Sequence, residues 1–161
     1  MVRRQQGTPA LKALEAAGVE FVTHEYQHDP RAESFGLEAA EALGFPAARV
    51  FKTLLATDGQ VLVVGVVPVT GRLNLKSLAH AAGFKKLEMA DPRLAERRTG
   101  MVVGGISPVG HQRRLPTVLD ASAMSHDTIL VSGGRRGLDV ELAPGDLVRL
   151  TGATVADIAA G

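Results

Sequence analysis

The segment 47-AARVFKTLLATDGQVLVVGVV-67 decides the architecture. Its halves FKTLLAT and QVLVVGVV are aliphatic and β-branched, and they flank Asp58-Gly59, a dipeptide that takes the backbone angles of a tight hairpin turn at little cost. The segment therefore reads as two antiparallel strands. Lys52 is out of keeping with that reading. By strand alternation it shares a face with Val50 and Leu54, while Phe51, Thr53 and Leu55 form the other. If both faces are partly covered, its ammonium must snorkel to water or meet a carboxylate or a ligand. In a pocket such a lysine could orient a bound ester or carboxyl group, or act as a base once desolvated.

Outward from the hairpin, helix and strand signals alternate. Thr8-Pro9 reads as an N-cap and first helical residue, with Gly18 as the stop. VEFVTHEY (19–26) alternates as an edge or half-buried strand, and SFGLEAAEALG (34–44) as a short amphipathic helix. LNLKSLAHAAG (73–83) places Leu75, Leu78, Ala79 and Ala82 on one helical face. In DPRLAERRTG (91–100) Asp91 caps, Pro92 opens and Gly100 closes a further helix. Strands are predicted at GMVVGG (100–105), PTVLDA (116–121), TILVSGG (128–134) and LDVEL (138–142), and the tail 144–161 as a short helical turn followed by a weaker one. The sum is an α/β (α+β) chain with a mixed, barrel-like sheet surrounded by helices. The hairpins and the absence of G-x-G-x-x-G argue against a doubly wound sheet.

Bulk composition narrows the functions. The 161 residues fit one domain, with 45% hydrophobic and 22% charged residues as in ordinary globular chains. Aromatic residues make up only 4%, which leaves little for a base-stacking platform. Net charge is +1, yet basic residues come in pairs: Arg3-Arg4, Lys85-Lys86, Arg97-Arg98, Arg113-Arg114 and Arg135-Arg136. Such pairs read either as solvated surface or as separate phosphate contacts converging on one face. With no cysteine, disulfides, thiolate metal sites and a cysteine nucleophile on the protein are excluded. The basic N-terminus leads into a polar-studded helix instead of a signal sequence, and VLVVGVVPV is too short to span a bilayer, so a cytoplasmic location is expected.

Three constellations could carry chemistry. His24 and His28, with Asp29 following, have metal-like spacing, but one falls in a strand and the other precedes Asp-Pro, so the geometry fails. Ser107 or Ser132 could join His111 and Asp139 in a hydrolytic triad, though no G-x-S-x-G elbow exposes either serine. VVGGISPVGH and LVSGGRRGLDVEL each follow a predicted strand with a glycine pair. They are tight turns, or loops that present bare peptide N–H groups to a carbonyl or phosphate oxygen.

VFKTLL (50–55), GGISPVG (104–110), RLPTVLD (114–120) and SGGRRGLDVELAPGDL (132–147) stand in order along the chain. Together they resemble the YbaK-type aminoacyl-tRNA deacylases, free-standing relatives of the editing domain inserted in bacterial prolyl-tRNA synthetases, from about Val19 to the C-terminus. The resemblance implies a single editing domain over residues 1–161 with a six- or seven-stranded barrel-like sheet. It implies clearance of Cys-tRNA(Pro), and of Cys-tRNA(Cys) in some members, by attack of the substrate's own thiol, which needs no cofactor, metal or protein nucleophile. On that pattern Lys52, Gly104, Gly105, Ser132 and Asp139 form the catalytic set. Tyr26 and Ser107 line the substrate, and Arg135 and Arg136, with Arg113 and Arg114, meet the phosphates of the CCA end. The implied partners are aminoacyl-tRNA and prolyl-tRNA synthetase, with no membrane. The competing readings are a water-dependent deacylase of Ala-tRNA(Pro) or another small aminoacyl-tRNA, a non-catalytic tRNA- or synthetase-binding module, and a small-ligand binder.

Overall fold

The computed structural model describes residues 7–32 and 34–160. In chain order its elements are α1 (Pro9–Ala16), β1 (Val22–Glu25), α2 (Phe35–Leu43), β2 (Phe51–Thr57), β3 (Leu62–Pro68), β4 (Arg72–Leu73), α3 (Leu75–Ala82), β5 (Glu88–Met89), α4 (Pro92–Thr99), β6 (Thr117–Asp120), β7 (Ile129–Arg135), β8 (Leu138–Leu142), α5 (Pro144–Thr151), β9 (Thr154–Ala156) and β10 (Ala159–Ala160). The hairpin forms as read: Asp58 Oδ1 accepts from Gln60 and Val61 N–H, both at 2.9 Å, and Gly59 takes φ +107°.

The strands make three sheets, ordered β5-β2-β3-β6-β9, β1-β8-β7 and β10-β4. Mixed pairing is present, since β2–β3 is antiparallel while β3–β6 and β6–β9 are parallel. A parallel bridge between Val50 and Leu130 joins the two larger sheets at one corner. Between the sheets, Phe51, Leu55, Val64, Val66 and Leu119 meet Ile129, Val131, Leu138, Val140 and Leu142, with Leu11 and Leu14 of α1 closing one end. The opposite face of the five-stranded sheet is also covered: Val63, Val67 and Val118 pack on Leu78 of α3 and on Ile158. Burial on both faces is why β3 reads as an unbroken apolar run instead of alternating.

Two expectations are corrected. GMVVGG is not a strand: Gly104 takes φ +89°, and the Glu96 carboxylate accepts from Val103 N–H (2.8 Å), which holds the segment in turns. The tail after α5 is extended, not helical. Buried Asp120 accepts from Ile158 and Ala159 N–H at 2.9 and 3.0 Å, β9 pairs with β6, and β10 pairs with β4. Arg3 and Arg4 lie outside the described residues. Among those residues no helix is long and apolar enough to cross a membrane.

Candidate active site

Along one edge β2 is paired from Phe51 to Thr57 by β3, but along the other β5 reaches only Ala56 and Thr57. Ala90 N–H adds a bond to Leu55 O (3.0 Å), and the bridge from Val50 to β7 closes the far end. Between these closures the edge of β2 stands open, and a cavity of ≈ 350 Å³ lies against it. Its size falls in the range of small-ligand sites, about 300–1,000 Å³. Other walls come from the start of α2 (Phe35, Gly36), the segment from Met89 to Ala95, and the turn carrying Val103 and Gly104.

Strand alternation delivers the polar groups. Ile129 and Val131 of β7 and Leu138 and Val140 of β8 point into the core, so Ser132 and Asp139, paired directly in register, turn to the opposite face and line the cavity. Tyr26, just after β1, and Lys52 complete the lining. Thus Lys52, Gly104, Ser132, Asp139 and Tyr26, dispersed in sequence, share one cavity.

The electrostatics are set by burial. Asp139 is 6% exposed, makes no side-chain hydrogen bond among the described residues, and has its pKa raised to about 7 by desolvation. The Tyr26 hydroxyl is pushed up to about 12 by burial and then by the charges of Asp139 and Glu38, so it remains a donor. Burial lowers the pKa of Lys52, and Arg72 lowers it further. Among the described residues the ammonium has no ion-pair partner.

The two glycine segments meet behind the wall. A Cβ on Gly105 would lie 2.6 Å from the backbone of Arg135 and Arg136, and one on Gly104 would lie 2.6 Å from the Phe35 ring. Gly104 is on the cavity wall, and its N–H has no partner among the described residues. Gly105 is not on the wall, and its N–H donates to Val102 O (2.8 Å).

Of the remaining candidates, Arg113 is exposed and off the cavity, and the others are held elsewhere. Ser107 is fully buried off the cavity, its Oγ accepting from Val109 N–H (3.2 Å) and its carbonyl bonded to His111 Nε2 (2.8 Å). His111 therefore sits away from Ser132 and Asp139, and no triad forms. His24 and His28 bond to Glu141 and Glu38 at 2.9 and 2.8 Å, which accounts for both without a metal. Arg135 pairs with Glu25. Arg136 donates Nε–H to Val103 O (2.8 Å) and stacks 4.7 Å over Phe35, bracing the cavity wall. Arg114 donates to Leu150 O (3.2 Å).

Phe35, Met89, Pro92 and Val103 line the cavity without a signal in the sequence, where apolar residues at element ends read as core. Thr53 had a weak one, its place beside Lys52. It is on the wall, and its Oγ1 is buried without a partner among the described residues.

Asp139 carries a pH signature. Its carboxyl titrates near 7 folded and near 3.9 unfolded. Between those values the native state keeps a proton that the unfolded chain has lost. Its contribution to stability is therefore full below about pH 4 and is lost as pH rises through 7. Urea unfolding at pH 5 and pH 8 is expected to show wild type losing on the order of 2–3 kcal/mol more than Asp139→Asn over that interval. Parallel pH profiles for the two proteins would place Asp139 in contact with water or a cation.

The chain matches known proteins along nearly its whole length. The model of the family described as the aminoacyl-tRNA editing domain matches residues 30–150. EbsC of Enterococcus faecalis, a proposed Cys-tRNA(Pro)/Cys-tRNA(Cys) deacylase, is 38% identical over 160 residues, 97% of this chain and 95% of EbsC. Proline–tRNA ligase of Geobacter metallireducens is 34% identical over 101 residues, 63% of this chain and 17% of the ligase. Among solved structures, a proposed trans-editing enzyme for prolyl-tRNA synthetase superposes with a TM-score of 0.82 at 29% identity, over 98% of this chain and 100% of the other.

Proposed function

Because the chain belongs to the aminoacyl-tRNA editing domain family, we propose that it is a trans-editing deacylase that clears Cys-tRNA(Pro), and Cys-tRNA(Cys) with it, by cleaving the aminoacyl ester. The observation that carries this reading is the single cavity that gathers a lysine, a glycine N–H, a serine, a buried carboxyl and a tyrosine at the open edge of β2. Near-full-length likeness to EbsC supports the cysteinyl substrate.

The protein's task is orientation and electrostatics. The substrate's thiol loses its proton and attacks the ester carbonyl. The bond from carbonyl carbon to ribose oxygen breaks, the proton ends on that oxygen, and the products are a cyclic thiolactone and deacylated tRNA. Sulfur and carbonyl are already tethered, so holding the near-attack conformer supplies much of the rate. Gly104 N–H receives the developing oxyanion, and Lys52 sits by the ester oxygen or the neighbouring ribose and phosphate. Asp139 pairs with the substrate's α-ammonium, which brings the charge partner that Asp139 lacks in the free protein and drives the carboxyl to its ionised form. Ser132 and Tyr26 bind the remaining polar edges. A second sieve of this kind answers a need: a synthetase pocket cannot strongly reject a near-isostere of its own amino acid. The chain acts as one editing domain, and prolyl-tRNA synthetase is the partner that hands it misacylated tRNA.

Side-by-side deacylation of labelled Cys-tRNA(Pro) and Ala-tRNA(Pro) tests the mechanism, because alanine has no thiol. Cysteine is expected to be cleared at least about tenfold faster. Equal clearance would mean that water attacks, and clearance of neither would remove the enzymatic reading.

A further inference from the structure

The cations beside the cavity divide into those the protein uses and those it leaves unused. Arg49 donates to Thr128 O and to Glu141, Arg135 is paired with Glu25, and Arg136 is bound to Val103 O and stacked on Phe35. Helix α4 differs. Pro92 and Ala95 line the cavity, and Ala95 is buried in the core. Arg93 and Arg97, four apart, stand on the opposite face, while Arg98, three residues from Ala95, lies toward the buried side. All three are exposed and make no ion pair among the described residues. The acids of this helix are turned to its own structure: Asp91 accepts from Arg93 N–H at the N-cap, and Glu96 accepts from Val103 N–H. The outer face therefore presents positive charge one helix thickness from the cavity.

We propose that this face of α4, through Arg93 and Arg97, docks the phosphodiester backbone of the aminoacyl-tRNA whose ester enters the cavity. The proposal rests on the editing reading for its ligand. Arg93 and Arg97 are about 6 Å apart along the helix axis, so they meet successive points on a strand. Guanidinium groups suit phosphate oxygens, and contacts of this kind position a nucleic acid without reading its sequence. The ligand assigned to Arg135 and Arg136 in the sequence thus falls to a different arginine cluster, one free to meet it.

Arg93→Gln/Arg97→Gln tests the surface. Both sites are exposed and glutamine is a good helix former, so folding is retained. Each lost phosphate contact lowers the slope of log affinity against log salt by about 0.7–0.9. Affinity for deacylated tRNA(Pro) at 0.15 M salt is therefore expected to fall roughly tenfold to thirtyfold, with the slope lower by about 1.4–1.8. Arg93→Lys/Arg97→Lys should restore most of both. Cleavage of 3′-O-cysteinyl-adenosine, which has the ester and no phosphate, should stay at the wild-type rate. Unchanged tRNA affinity and salt slope in the glutamine variant would overturn the docking surface while the adenosine ester is still cleaved. If wild type cleaves neither ester, the editing reading fails, and the tRNA-binding arm alone still decides whether α4 binds nucleic acid.

Discussion

Lys52→Ala is expected to slow deacylation of Cys-tRNA(Pro) by about 10²–10³-fold while the protein stays folded. That magnitude is the usual cost of removing one preorganised electrostatic contact to a transition state. The fold should tolerate the change, because the ammonium has no ion-pair partner among the described residues and burial already lowers its pKa. Deleting an unpaired, partly desolvated cation leaves no partner stranded. The backbone of β2 is held by its ladder with β3, which the side chain does not enter. Single-turnover deacylation beside a thermal melt separates the two effects. Retention of activity within threefold would remove Lys52 from the reaction and leave it a snorkelling lysine.

Gly105→Ala is expected to cost about 3 kcal/mol and to lower Tm by roughly 10 °C. Its Cβ would meet backbone atoms of Arg135 and Arg136 at 2.6 Å, and backbone cannot swing aside as a side-chain tip can. The turn carrying Gly104 would be levered off the end of β7, so activity should fall with stability. Gly145→Ala is the control. It has nothing within 4 Å, it takes no positive φ and it lies in α5, so it should gain about 0.5–1 kcal/mol. If Gly105→Ala melted like wild type, the contact between the two glycine segments would not exist in solution.

The site was legible where residue type exposes an unmet need. Lys52 stood out because a strand facing two cores should not carry an ammonium, and it lines the cavity. The glycine pairs stood out because close backbone approach demands them, although only Gly104 faces the cavity and Gly105 serves packing. Ser107, Arg135 and Arg136 looked equally eligible, and they are held off the wall by bonds to Val109, Glu25 and Val103. Nothing in GMVVGG shows that Glu96 will hold Val103 in a turn, and nothing in the tail shows that Asp120 will grip Ile158.

By itself the sequence determined what is local. Asp58-Gly59 makes the hairpin, Thr8, Ser34, Asn74 and Asp91 cap their helices, and alternation sends Phe51 and Leu55 one way and Lys52 the other. Such features depend on neighbours a few residues away, and their periods are written in the chain. Only the tertiary structure decided that β5 stops short, that β7 and β8 bring Ser132 and Asp139 to the exposed edge of β2, and which arginines are left unpaired. Periodicity says which face of an element is buried. What covers that face, and where the cover ends in a cavity, depends on packing between segments far apart in the chain.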